Sequence, residues 1–216
     1  MSAVLAFGER EAAAAPVGLL VLHHGRGTDE RDLLPLADVL DPQRRWHIVA
    51  PRAPLQLPGS PGRHWYVVPR VGYPDPGTFA AARSQLAELH DAVWERTGLT
   101  PSQTVLGGFS MGTAMSYTMG LDAERPAPAG ILAFSGFVPT VDGWEPQLTG
   151  RQSTRVLIAH GRWDPVIDVS FARRARALLR GAGFDVDYRE SEVTHTIDPA
   201  DLPRAAGWLD SVLASR

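Results

Sequence analysis

Nucleophilic acyl transfer needs a hydroxyl or thiol, a base to take its proton and a carboxylate to hold the base, and this 216-residue chain presents such residues in a definite order. Ser110 lies inside Gly108-Phe109-Ser110-Met111-Gly112, Asp164 follows about fifty positions later and His195 comes near the end. The G-x-S-x-G pattern comes directly after the apolar run Thr104-Val105-Leu106-Gly107 and before the helix-like Met111 to Met119. That context predicts a sharp strand-to-helix turn that holds the serine in a strained conformation above a sheet edge, with room only for very small side chains two residues either side. Gly108 and Gly112 meet the demand. The turn also aims the amide of Met111 at the place where an oxyanion would develop.

In an open parallel sheet ligands sit beyond the carboxyl ends of the strands, so chemistry is expected from residues just after strands. Asp164 lies in His160-Gly161-Arg162-Trp163-Asp164-Pro165 after the apolar run Arg155 to Ala159, and His195 lies in Val193-Thr194-His195-Thr196 after Phe184 to Arg189. Asp168 and Asp198 are rival carboxylates, but each precedes a helix-like stretch where capping accounts for it, whereas Pro165 restricts Asp164 to extended conformations in its loop. Nucleophile, acid and histidine in that order are the order of an α/β-hydrolase. A second oxyanion donor is expected from His23-His24-Gly25-Arg26-Gly27-Thr28, an H-G-x-G turn after another apolar run, through the amide of Arg26 or a neighbour. The same glycines make no dinucleotide fingerprint, because Glu30 stands where the third glycine is required. His23, His24 and His160 flank glycines at strand ends and read as structural hydrogen-bonding groups. A metal site built from His24, Asp29 and Asp32 is disfavoured, since no paired-histidine spacing supports it.

Composition narrows the chemistry further. All 21 basic residues are arginine, which excludes a Schiff-base lysine, a P-loop lysine and a Ser-Lys dyad. Cysteine is absent, so thiol nucleophiles, disulfides and thiolate metal sites are excluded together. A formal charge of -3 and a pI of about 6.1 leave no electrostatic footprint for nucleic acid or an anionic membrane. The apolar stretch Met1 to Phe7 has no basic residue before it and is followed by Glu9 and Glu11, so neither a signal peptide nor a transmembrane span is read and a cytoplasmic location is expected.

Length and 44% hydrophobic content predict one domain spanning 1–216 with one well-buried core. Buried strands are read at Val17 to Leu22, Trp46 to Ala50, Thr104 to Gly108, Gly130 to Ser135, Arg155 to His160 and Phe184 to Tyr188. Helices are read at Asp32 to Leu40, Phe79 to Arg96, Met111 to Met119, Phe171 to Arg180 and from an Asp198 cap towards Ala214. The alternation predicts an α/β fold with a mainly parallel central sheet, helices on both faces and no separate cap domain. Pro51 to Gly77 is rich in Pro and Gly yet carries Trp65, Tyr66 and Tyr73, which points to an ordered functional segment. These three aromatics are the expected substrate-binding residues, with Trp65 foremost.

Leu22 to Glu30, Gly108 to Gly112, Phe134-Ser135-Gly136, His160 to Pro165 and His195 together resemble the phospholipase/carboxylesterase family of cap-less α/β-hydrolases, which also contains acyl-protein thioesterases. The resemblance runs over nearly the whole chain. It implies Ser110, Asp164 and His195 as a catalytic triad, the amides of Arg26 and Met111 as the oxyanion hole, and no cofactor. The expected activity is a serine carboxylesterase on small acyl esters; a thioesterase, lysophospholipase or peptidase on the same scaffold, and a non-catalytic binding member, are the alternatives. The expected partner is a small-molecule ester, with no nucleic acid, no stable membrane insertion and a homodimer as a compatible assembly. Two departures bear on substrate choice, the doubled histidine at the strand end and the proline-rich 51–77 segment.

Overall fold

The computed structural model describes residues 5–213. Its strands and helices in chain order are β1 (Phe7–Arg10), β2 (Leu19–His23), α1 (Leu34–Leu40), β3 (His47–Pro51), β4 (Leu55–Gln56), β5 (Arg63–His64), α2 (Pro76–Thr97), β6 (Thr104–Phe109), α3 (Met111–Gly120), β7 (Gly130–Phe134), β8 (Arg155–Gly161), α4 (Ser170–Gly181), β9 (Val186–Ser191) and α5 (Leu202–Val212). Among the described residues, seven strands form one sheet in the order β1-β3-β2-β6-β7-β8-β9, and only β1 runs antiparallel to its neighbour.

The central strands are apolar on both faces, so successive side chains serve two separate cores. Leu19 and Val21 of β2, Ile131 and Ala133 of β7, and Phe79, Leu86 and Leu179 of α2 and α4 pack on one face. Leu20 and Leu22, Leu132 and Phe134, and Leu40 and Leu209 of α1 and α5 pack on the other. This is the arrangement that continuous hydrophobic strands demand, since each must be covered by helices on both sides. Among the described residues, no helix is long and apolar enough to cross a membrane.

Several boundaries differ from the sequence expectation for local reasons. Helix α2 begins at Pro76, three residues before the first apolar position, because the Asp75 carboxylate accepts from the Thr78 amide at 2.8 Å and Pro76 supplies a preset φ. Asp198 caps a short 3₁₀ turn, Pro199–Asp201, and α5 follows it. The expected end of that helix at Ala214, like Met1 to Val4 of the N-terminal stretch, lies outside the described residues. The last strand is β9 at Val186–Ser191, shifted along from Phe184, because the pairing Val156↔Val186 through Gly161↔Ser191 sets its register. Strand β1 was not expected. Its four residues contain no hydrophobic run and are held by partners distant in sequence, the β3 ladder and the Glu9–His47 and Arg10–Asp41 pairs at 2.6 Å each.

The register brings the carboxyl ends of five parallel strands to one edge, with His23 beside Gly108, Phe109 beside Phe134, Phe134 beside Ala159 and Gly161 beside Ser191. The loops leaving these ends build the site.

Candidate active site

Strand β6 ends at Phe109 and α3 starts at Met111, leaving Ser110 alone to make the turn with φ 57° and ψ -119°. That is a left-handed conformation a serine rarely adopts, and the surrounding backbone over-determines it. The Ser110 amide donates to Phe134 O at 3.0 Å, and the Thr113 hydroxyl lies 2.6 Å from Gly108 O and 2.7 Å from Phe134 O. A Cβ at Gly112 would stand 1.9 Å from His23 O, and one at Gly108 would stand 2.5 Å from the carbonyl carbon of Gly112. Any side chain at either position would push β2, β6 and α3 apart.

His195 Nε2 lies 2.9 Å from Ser110 Oγ, and His195 Nδ1 lies 2.7 Å from Asp164 Oδ2. A carboxylate only accepts, so the imidazole carries its proton on Nδ1 and turns an accepting Nε2 to the serine hydroxyl. The second carboxylate oxygen, Asp164 Oδ1, accepts from the amides of Val166 and Ile167 at 2.9 and 2.8 Å. The loops that carry the acid and the histidine are tied together by Arg162 N to Ser191 O at 2.7 Å and Trp163 N to Val193 O at 3.1 Å. Phe109 stacks against the His195 ring at a centroid distance of 4.9 Å.

Behind this line stand the other strand-end histidines. His160 Nε2 donates to Ile167 O at 2.8 Å and lies 3.3 Å from Asp164 Oδ2, so it braces the loop whose amides hold the carboxylate; burial keeps its imidazole below the ordinary range. His24 Nε2 accepts from the Ala53 amide at 3.0 Å and its Nδ1 donates to Gly25 O at 2.7 Å, so both ring nitrogens are engaged and neither faces a metal with Asp29 and Asp32. His23 Nδ1 lies 2.9 Å from Ser116 Oγ, joining the end of β2 to α3.

Met111 opens α3, and the first amides of a helix have no partner within it, which leaves its N–H for an anion. Arg26 and Met111 both line the cleft above Ser110. This cleft holds about 100 Å³ and is otherwise apolar, with Tyr66, Val71, Phe137 and Ile167 on its walls.

Of the three expected substrate-binding aromatics, only Tyr66 lies on the cleft. Trp65 is 0% exposed and belongs to the scaffold. Its indole N–H donates to His24 O at 2.9 Å, its amide donates to Met111 Sδ at 3.3 Å, and its ring packs on His24 at 5.3 Å. Trp65 and Tyr66 fall on the bend after β5, and the bonds of Trp65 to His24 and Met111 hold its ring beneath the cleft while Tyr66 lines it. Tyr73 is 42% exposed, stacks under the Arg70 guanidinium at 3.6 Å and does not line the cleft. Val68, Val71, Phe137, Val166 and Ile167 line the cleft without having been singled out. Phe137 follows β7 and the Val166-Ile167 pair follows β8, so the same rule that picked Asp164, residues just after strands, could have found them.

A model of the phospholipase/carboxylesterase family matches residues 10–213. The chain belongs to this family. Its members are ester-hydrolysing serine hydrolases, and the enzyme class of the chain follows from that membership. The phospholipase/carboxylesterase chain is 27% identical over 218 residues to acyl-protein thioesterase 1 of Yarrowia lipolytica, covering 92% of this chain and 93% of that protein. Against acyl-protein thioesterase 1 of Gibberella zeae it is 32% identical over 118 residues, 52% of this chain and 49% of the relative, so there it spans about half the length. Among solved structures, esterase PE8 superposes with a TM-score of 0.82 at 30% identity, covering 98% of this chain and 100% of that one. The Bacillus cereus carboxylesterase, at 21% identity with coverage of 98% and 96%, shares the fold at a TM-score of 0.85.

Proposed function

We propose that this protein is a serine carboxylesterase that hydrolyses small acyl esters through an acyl-enzyme on Ser110. His195 Nε2 takes the Ser110 proton as Oγ attacks the ester carbonyl, and the amides of Arg26 and Met111 receive the oxyanion of the tetrahedral intermediate. Asp164 holds the imidazole tautomer and stabilises its charged form. The imidazolium returns its proton to the departing alcohol, and water, activated by the same histidine, then releases the acid. No step needs a cofactor. The observation that carries the reading is the continuous line Ser110 Oγ, His195 and Asp164 at 2.9 and 2.7 Å, with the carboxylate's other oxygen held by two amides. A cytoplasmic site of action belongs to the same reading.

A thioesterase is the second reading, favoured by the near full-length likeness to a relative named as an acyl-protein thioesterase. The oxyanion and the acyl-enzyme are common to both, so only the leaving group separates them. Labelling with a fluorophosphonate probe and a parallel panel of p-nitrophenyl esters, acyl thioesters and peptide amides tests the choice. Stoichiometric labelling with kcat/KM highest on oxygen esters is expected. A thioester preference would move the assignment to the second reading, and an unlabelled, inactive protein would leave a binding member of the family.

A further inference from the structure

The cleft at Ser110 is small, and a much larger groove lies behind one of its walls. About 100 Å³ lies open at the nucleophile, room for a short acyl chain. The groove next to it holds about 660 Å³ and is lined by Val138, Val141, Trp144, Phe171 and Leu178 among others. What separates them is thin. Phe137 faces the cleft while the next residue, Val138, faces the groove, and Phe137 is in ring contact with Phe171 at a centroid distance of 5.5 Å. On the other side Val71 faces the cleft while Gly72 closes on Phe171, where a Cβ would come within 2.6 Å of the ring.

This partition is held from several directions. Gly72 adopts φ +88°, and its carbonyl accepts from the Thr140 amide at 2.9 Å, which ties the 71–72 turn to the chain after Phe137. The Arg174 guanidinium lies over the Phe171 ring at 4.3 Å, one turn along α4. Phe171 is therefore contacted by the Gly72 backbone, the Arg174 guanidinium and the tilted ring of Phe137, which together limit its freedom to swing aside.

Resting on the reading that Ser110 carries the acyl group, we propose that the Phe137–Phe171 pair is the chain-length stop of the enzyme, restricting it to acyl groups of about four carbons, and that its removal joins the cleft to the groove. The chemistry at Ser110 is unchanged by this role. The pair decides only how much acyl chain fits before apolar contact turns into collision.

The test is kcat/KM for p-nitrophenyl acetate, butyrate, octanoate and dodecanoate with wild type, Phe171→Ala and Phe137→Ala, each normalised to the active-site titre from fluorophosphonate labelling. Wild type should fall at least tenfold from butyrate to octanoate. Phe171→Ala should raise the octanoate to butyrate ratio at least tenfold, since each methylene newly accommodated is worth roughly a factor of four and two of them already give about sixteenfold. Phe137 is more deeply buried, so if Phe137→Ala does not label, the half-buried Phe171 decides alone. A labelled Phe171→Ala whose ratio stays within twofold of wild type overturns the partition and leaves the esterase reading intact. A wild type that takes octanoate as readily as butyrate overturns it as well. A wild type that neither labels nor hydrolyses any ester sinks the esterase reading and the chain-length stop together.

Discussion

The two sides of the cleft are built by different means. Ser110 stands on a turn where strand, helix and two glycines leave the backbone no alternative, and His195 and Asp164 are tied to one another through paired loops. The second side, where Tyr66, Val68 and Val71 meet Phe137, Val166 and Ile167, is apolar side chains brought together from several loops. Backbone sterics and charge-assisted hydrogen bonds tolerate no approximation, whereas apolar contact depends on volume and accepts substitutes. Changes on the first side should abolish turnover, and changes on the second should redirect it.

The hardest blow to that contrast is Ser110→Ala, expected to lower kcat by on the order of 10⁶ with an unchanged melting temperature. A purified variant that keeps a tenth of wild-type turnover would put the nucleophile elsewhere. Asp164→Asn comes next, at about 10⁴ in kcat, because the amide favours the wrong imidazole tautomer. Asp168 and Asp198 make useful companions, since their carboxylates accept from the Ser170 and Ala200 amides at 2.9 Å each, as turn caps do. Their Asn variants should cost at most about 1 kcal/mol of stability and leave turnover nearly intact. A large kcat loss at either, with Asp164→Asn close to normal, would reassign the acid.

A smaller effect concerns the floor beneath the elbow. Burial, reinforced by the Arg125 guanidinium, pushes His90 down to about 3, and burial likewise holds His23 and His160 below their ordinary range. In the unfolded chain these rings take up protons near 6.5. Below that pH the native state binds fewer protons than the unfolded one, so stability is fully present above about 6.5 and is lost as the pH falls towards 3. Well below 6.5 each such histidine contributes about 1.4 kcal/mol per pH unit to the slope. His90 packs between His23 and Trp94 at 5.9 and 5.8 Å, and His90→Phe should flatten the dependence by about one proton. Urea unfolding at pH 7, 5.5 and 4.5 measures it, and an unaltered slope would mean that His90 is protonated in the native protein.

The smallest expected effect on turnover sharpens the boundary between the two sides. Trp65→Phe keeps a ring near His24 but removes the indole N–H that the His24 carbonyl accepts and leaves a cavity in place of the larger ring, which should cost about 2–4 kcal/mol of stability. Relative kcat/KM across acetate, butyrate and octanoate esters should not move. A shifted acyl preference would return Trp65 to the substrate side.

What could be read from the residues alone was whatever depends on local sterics and periodicity. Continuous apolar runs require strands covered on both faces, a serine in a strand-to-helix turn requires its two glycines, and residues just after parallel strands reach the sheet edge. From these came the α/β architecture, the order Ser110, Asp164, His195 and the turn at His23 to Thr28. The edge strand β1 was invisible because its pairing lies in β3 and its charges find Asp41 and His47, tens of positions away. The facing of the 51–77 aromatics was equally out of reach. Trp65 points inward because a carbonyl 41 residues earlier accepts its indole N–H, and Phe137 meets Phe171 only after the β7–β8 register and the start of α4 have placed them. Composition marks such a loop as ordered, but the side each ring takes follows from hydrogen bonds and contacts that exist only once the sheet has assembled.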